Sequence, residues 1–344
     1  MTYTLYESSV RPVVILTPEP QRASRIFTEQ TRAEFERRFD VIDLEGRPER
    51  LDEVLPDAFA IVGQPDLPTG RLARARQLRA LLNVEGNFYP NVDYATCFER
   101  GIHVLACGPA YATAVAEYSL GMALDLARGI SREDRAFRSN RERYVSAGNM
   151  DAMLLHGADI GLIGLGNLGR ALQPLLEPFR PTIRVYDPWL PDSALQQMGV
   201  IPSVLSELLV HSSLVFVLAT VTDESEHLLG SEQLDLLPAG ARLVLVSRAS
   251  VVDYVALLER VRVGRLLAGI DVWPDEPVPA DYPARHLDGL VLSAHRAGGI
   301  PQAFYEIGQM VVDDLTLIAR GLPPVRMQVA ARELVRRYRN RPVS

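Results

Sequence analysis

Short apolar runs alternate with longer polar stretches along this chain, and the rhythm occurs twice. In the first series, Val13–Leu16, Val41–Leu44, Ala58–Val62, Ala80–Val84 and Ile102–Leu105 predict strands, with helices at Glu29–Arg38 and Arg71–Gln77. The second series is stronger and starts at Ile160. Its strands are Ile160–Ile163, Ile183–Tyr186, Val215–Leu218, Arg242–Val246, Ala268–Val272 and Leu290–Ser293. Helices are expected at Leu168–Leu176, Ser193–Met198, Ser203–Leu209, Ser231–Leu236 and Tyr254–Arg262, and a long one at Pro301–Ala319. Short, continuously apolar strands separated by helices indicate parallel sheets covered on both faces. Between the series, Ala114–Arg128 reads as a long helix, largely buried at a domain junction or subunit interface, and Ser131–Asn149 as a polar surface excursion. After Gly321-Leu322-Pro323-Pro324 the chain is free to return to the first domain.

A length of 344 residues suits two domains of roughly 100–200 residues each. The composition, 47% hydrophobic and 23% charged, is that of an ordinary globular protein. The net charge of -7 argues against nucleic acid, which calls for a basic stripe. The one basic stretch, Arg332–Arg341, is explained as well by a solvated surface helix. Met1-Thr2-Tyr3 does not begin a signal peptide, and no apolar run approaches the roughly 18 residues of a membrane span. Cys97 and Cys107 read as buried free thiols in a reducing, cytoplasmic setting, and no Cys or His clustering suggests a metal.

The sharpest local motif is Gly164-Leu165-Gly166-Asn167-Leu168-Gly169, directly after a strand and opening a helix. Gly164 permits a tight turn, Gly166 lets backbone approach a pyrophosphate, and Gly169 allows close helix–strand packing. Asn167 and Leu168 open the helix, whose N-terminus offers unpaired N–H groups to phosphates. The next strand ends at Asp187, placed to bond the adenosine ribose hydroxyls, and no Arg follows to receive a 2′-phosphate. NAD is therefore the expected cofactor. Isolated glycines of this spacing also serve ordinary turns, so the flanking elements and Asp187 carry the assignment.

Three ionisable residues follow later strands of the same series: Arg248 after Val246-Ser247, Glu276 in Asp271-Val272-Trp273-Pro274-Asp275-Glu276-Pro277, and His295 after Ser293-Ala294. Ligands of open parallel sheets collect beyond the carboxyl ends of the strands. Singly, each has an ordinary explanation as a surface charge, a loop acid or a polar cap. Together they match a chemistry: Arg holds a carboxylate bidentately, and a His paired with a Glu donates a proton to a carbonyl oxygen.

At this point the chain resembles the D-isomer-specific 2-hydroxyacid dehydrogenases. The resemblance rests on Gly101-Ile102-x-Val104, Val115-Ala116-Glu117, the glycine motif and Tyr186-Asp187-Pro188. It continues through Ser247-Arg248-Ala249, Asp271-Val272-x-x-x-Glu276-Pro277 and His295-x-x-Gly298-Gly299. It implies two Rossmann-like or flavodoxin-like α/β domains with an active-site cleft between them. Residues 1–115 and 305–344 would form a discontinuous substrate domain, and 116–304 an inserted NAD-binding domain that dimerises. It implies Arg248, Glu276 and His295 as catalytic residues, acting on a small anionic substrate, a 2-oxo or 2-hydroxy acid. Arg248 would anchor the substrate and orient the nicotinamide, His295 would exchange the proton and Glu276 would stabilise its imidazolium. Asp271 would contact the nicotinamide amide, and Ser247 and Gly298 would border the cofactor.

The pattern also departs from the family. Ala249 stands where the family has Gly after the Arg, and Leu218-Ala219-Thr220 replaces a His-x-Pro segment. The substrate loop reads Glu85-Gly86-Asn87-Phe88-Tyr89, with Phe88 where a second glycine is usual. Glu85, Gly86, Asn87 and Phe88 are candidate substrate contacts with Arg248 and His295; the two rings line an aromatic pocket or simply pack the loop. Arg296 would assist a second anionic group or serve the surface. Phosphite- or formate-type anion oxidation, and a non-catalytic NAD-sensing interaction protein, are the competing readings. The Arg248–Glu276–His295 set favours a hydroxy acid over formate, since formate enzymes resemble a Gln–His arrangement, and no long tail or peptide-docking insertion supports sensing.

Overall fold

The computed structural model describes residues 11–338, which divide into two compact units. One contains 11–111 and 301–338, the other 112–300. These divisions lie slightly before the domain limits expected at 115 and 305. One falls inside helix Gly108–Arg128 and the other at the first residue of helix Pro301–Ala319.

The strands of the first unit are β1 (Val13–Thr17), β2 (Asp40–Asp43), β3 (Ala60–Gly63), β4 (Ala80–Asn83) and β5 (His103–Ala106). The second unit holds β6 (Asp159–Ile163), β7 (Thr182–Tyr186), β8 (Ile201–Pro202), β9 (Leu214–Val217), β10 (Ala241–Leu245), β11 (Leu266–Ile270) and β12 (Leu290–Leu292). The short β13 (Gln328–Val329) belongs to the first unit again.

The first sheet runs β2-β1-β3-β4-β5, all parallel, with β13 added antiparallel outside β5. Both faces are buried, as a parallel sheet requires. Val14, Leu16, Val62 and Leu82 pack with Phe304, Ile307, Val311 and Leu315 of helix Pro301–Ala319. On the opposite face Ile15, Ile61, Leu81 and Val104 pack with Leu72, Phe88 and Cys97. Asp314, fully buried on the same helix, explains the return of the chain. Its carboxylate accepts N–H bonds from Val325 (2.8 Å), Arg326 (3.0 Å) and Met327 (2.7 Å), which aim the segment into β13.

The second sheet runs β12-β11-β10-β9-β6-β7-β8, all parallel, and reverses direction between β6 and β9. That reversal opens a crevice at the carboxyl edge, where such sheets bind dinucleotides.

Several expectations need correction. β8 was not foreseen: it is two residues long, and its Pro202 cannot donate to a ladder, so it survives only at the sheet edge. The stretch 131–149 is not merely an excursion, since Ile130–Arg138 is helical. The preceding helix begins earlier than Ala114, at Gly108, and within the single chain it buries one face. Val115, Ala116, Ser119 and Met122 are inside, whereas Glu117 and Tyr118 are at the surface. The described part of the basic tail forms turns instead of a helix, with Val335 and Tyr338 against the core; residues 339–341, like Met1-Thr2-Tyr3, lie outside the described residues. Cys97 and Cys107 are buried and free, and burial pushes the Cys97 thiol up to about 11. Among the described residues, no helix is long and apolar enough to cross a membrane.

Gly308 lets the 301–319 helix approach the first unit's N-terminal segment, because a Cβ there would stand 2.2 Å from the Ile26 carbonyl oxygen. Overpacking of this kind costs about 1–3 kcal/mol, against about 1 kcal/mol gained from replacing a helical Gly by Ala. Gly308→Ala should therefore lower the urea midpoint; an unchanged or higher midpoint would show that the helix has room to spare.

Candidate active site

The turn after β6 gives each glycine a separate physical reason. Gly164 has φ +95°, and a Cβ there would stand 3.0 Å from the backbone of Ala219, so the position excludes side chains twice over. At Gly166 a Cβ would meet nothing within 4 Å, leaving backbone open to a ligand. At Gly169 a Cβ would stand 2.6 Å from the Gly164 carbonyl oxygen, so only glycine seats the helix on the turn. Asn167 and Leu168 begin that helix, Asn167–Leu176.

Asp187 follows β7 and braces the turn: Oδ2 accepts the Leu165 N–H (2.8 Å) and Oδ1 the Trp189 N–H (2.9 Å). Each carboxylate oxygen keeps a lone pair for a ribose hydroxyl. Beyond β10, the Ser247 hydroxyl is buried without a hydrogen-bond partner among the described residues. An orphaned buried donor suits an absent polar ligand. These features fit a dinucleotide held by the Gly164–Gly169 turn, Asp187 and Ser247.

Arg248 is half-buried and donates from Nη1 to the Ser247 carbonyl (2.7 Å). Glu276 and His295 meet directly, His295 Nδ1 lying 2.8 Å from Glu276 Oε2, and both side chains remain about one third exposed, at 31% and 30%. The geometry thus brings together the predicted acid and base.

The His295 turn is stitched to the end of β11. His295 has φ +52° and donates its N–H to the Asp271 carbonyl (2.7 Å). The Asp271 carboxylate accepts from Ser293 Oγ, from Arg296 N (2.8 Å) and from Ala297 N (3.0 Å). Its visible task is to hold this turn, a role the sequence did not reveal. Trp273, also unforeseen, donates its N–H to Glu276 Oε1 (2.9 Å) and its indole Nε1–H to the Ser293 carbonyl (2.7 Å). Tyr118 donates to Ser293 Oγ (2.7 Å). The only available signal was position, Trp273 two residues after Asp271 and Ser293 two before His295, and Tyr118 had none. Gly298 sits just past this web, after the buried Ala297. Arg296 is exposed and lines a cavity of about 580 Å³ with Tyr118, Trp273, Glu276, Tyr282 and Arg285.

In the first unit, Glu85 is buried and accepts from Gln21 Nε2 (2.9 Å) and from the Tyr89 hydroxyl (3.4 Å). Gly86 faces the Tyr111 ring, 3.5 Å from where a Cβ would stand, and Asn87 is half-buried. The Phe88 ring is 3% exposed and packs in the core against Tyr338, with centroids 5.7 Å apart. Phe88 and Tyr89 also border a cavity of about 330 Å³ with Phe98, Arg332 and Tyr338, so packing and lining coincide.

Gly169→Ala should raise the NADH dissociation constant at least about tenfold, or roughly 1.4 kcal/mol, by lifting the helix off the turn. Fluorescence titration measures this, and an unaltered constant would refute the packing argument.

The family model described as D-isomer specific 2-hydroxyacid dehydrogenase, NAD binding domain, matches residues 120–297. A glyoxylate reductase from Korarchaeum cryptofilum is 30% identical over 241 residues, covering 69% of this chain and 72% of that protein. A D-3-phosphoglycerate dehydrogenase from Methanocaldococcus jannaschii is 27% identical over 280 residues, 79% of this chain. The chain spans about half of that dehydrogenase, 52% of its length. Among solved structures, a phosphoglycerate oxidoreductase from Rhizobium etli shares 44% identity with a TM-score of 0.86, covering 94% of this chain and 99% of that one. The cofactor is NAD, and the chain belongs to the D-isomer specific 2-hydroxyacid dehydrogenases.

Proposed function

We propose that the protein interconverts a small D-2-hydroxy acid and its 2-oxo acid. The observation that carries this reading is the 2.8 Å Glu276–His295 pair at the carboxyl edge of the sheet whose turn holds NAD. A carboxylate only accepts, so the hydrogen between them sits on His295 Nδ1. Nε2 is then the atom that gives a proton to the substrate oxygen during reduction and takes it back during oxidation. Glu276 offsets the positive charge that His295 carries in its doubly protonated form. Arg248 holds the substrate carboxylate by charge-assisted bonds. In the first unit, Gly86, Asn87 and the Phe88 backbone are the proposed further contacts, with Glu85 fixing their loop. Bound NAD supplies the hydride chemistry at the carbon beside the carboxylate, while the protein contributes alignment and charge. Glyoxylate and the 2-oxo counterpart of 3-phosphoglycerate lead the substrates to try, given what the relatives' names state.

A panel of 2-oxo acids, followed by NADH absorbance, tests this. His295→Gln should lower turnover by a factor of about 10² or more, the scale of positioned acid–base catalysis, with NADH binding nearly intact. Equal turnover in the variant would end the assignment of His295. No turnover across the panel, with NADH still bound, would favour an NAD-sensing protein.

We also propose a homodimer formed through the second unit. In this unit Ile130, Phe137, Tyr144, Val145, Met150 and Leu154 are all exposed within one short stretch, Val145 at 83% and Met150 at 84%. Such apolar patches mark interfaces. Arg132, paired with both Asp151 carboxylate oxygens, and Arg242, donating to the Asp151 carbonyl, hold the stretch in shape beforehand. The buried free thiols support a cytoplasmic setting. Light scattering should give twice the chain mass, and Phe137→Asp with Met150→Asp should shift it toward one; a monomeric parent protein would dismiss the interface.

A further inference from the structure

The proposed acid–base pair is assembled from two separate loops, one after β11 and one after β12. The bonds of Asp271 hold the His295 turn to the end of β11, but none of them reaches the Glu276 carboxylate. His295 sits in a left-handed conformation, φ +52°, which non-glycine residues adopt only at a cost and keep only where surrounding bonds hold them. Seating Glu276 against that turn therefore needs a brace beyond Asp271.

Trp273 touches the support of each partner. Its backbone N–H binds Glu276 Oε1, the oxygen His295 does not use, which fixes the carboxylate rotamer with Oε2 toward Nδ1. Its indole Nε1–H binds the carbonyl of Ser293, two residues before His295. The ring itself is 8% exposed and cannot swing away. Tyr282 meets it edge-on at 5.9 Å and Tyr254 lies tilted at 6.0 Å, while the Tyr254 hydroxyl is tied to the Val272 carbonyl. Resting on the reading of His295 as proton donor, we propose that Trp273 is a positioning residue, whose indole N–H holds the His295 turn within bonding distance of Glu276.

If Trp273 merely filled the core, Phe would serve it almost as well. The N–H is what distinguishes the two: Phe keeps a ring between the tyrosines but leaves the Ser293 carbonyl without its donor. With glyoxylate as the probe, or the best 2-oxo acid from the panel above, Trp273→Phe should lower kcat about tenfold. The NADH dissociation constant should stay within twofold. In a His295→Gln background the same change should cost less than twofold, because groups acting as one unit are not additive.

A kcat within twofold of the parent would overturn the proposal, and so would an equal loss in both backgrounds, which is what a general structural role produces. Should Trp273→Phe fail to fold, site-specific benzothienylalanine at 273, with sulfur in place of the N–H, carries the same expectations. The two readings fail separately. If His295→Gln alone leaves turnover intact, the assignment of His295 fails and the positioning role falls with it. If His295→Gln removes turnover but loss of the indole N–H does not lower it, only the role of Trp273 falls.

Discussion

Asp271 is 1% exposed, and a carboxylate so removed from water persists only with donors set against it. Its donors are the Ser293 hydroxyl and the N–H groups of Arg296 and Ala297, on either side of His295. The adjoining Asp271 carbonyl takes the His295 N–H as well. The conformation of the proposed proton donor thus follows from the solvation demand of one buried charge. The first unit uses the same device for a different end. Asp314 is fully buried on its helix and gathers the N–H groups of Val325, Arg326 and Met327, converting a loop into the approach to β13. Charge-assisted bonds to backbone N–H groups fix loops without demanding any particular side chain there.

That indifference to side chains limits what sequence reading reveals. The glycine turn was legible because backbone geometry at Gly164 and Gly169 forbids other residues, so the constraint is written in the residue type itself. Helices Tyr254–Arg262 and Pro301–Ala319 lie where expected, since their apolar spacing reflects a buried face; Glu29–Arg38 and Ser231–Leu236 also lie where expected, although each buries only one or two residues. The helix Ile130–Arg138 escaped because most of its residues are charged or polar and its apolar Ile130 and Phe137 lie exposed rather than against the core of the chain. β8 escaped because two residues carry no period. Arg248, Glu276 and His295 were found as residue types suited to a chemistry. The bonds of Trp273 and Ser293 cross between loops far apart in sequence and leave no local pattern.

Two departures from the family pattern become intelligible in structure. Ala249 begins a short 3-10 turn, Ala249–Val251, and is not among the described residues with left-handed backbone, so glycine is not needed there. Ala219 sits with its backbone against the Gly164 turn, 3.0 Å from where a Cβ at 164 would stand. The demand for space is met by the glycine, on the β6 side of the contact. Thr220 lends its carbonyl to the Ser225 hydroxyl (2.7 Å), closing the loop locally.

The two roles of Asp271, the one implied by resemblance and the one visible in the bonds, are compatible by count. Two carboxylate oxygens offer about four lone-pair sites. Oδ1 takes Ser293 Oγ and Arg296 N, whereas Oδ2, among the described residues, takes only Ala297 N. One acceptor site on Oδ2 is left over for a cofactor amide, on a carboxylate whose orientation is already set by the turn it holds. A substitution here would disturb the His295 turn and any such contact together, so loss of activity at Asp271 alone would not separate them. Trp273 offers a better separation, since its own bonds reach Glu276 and the Ser293 carbonyl and none is made to the Asp271 carboxylate.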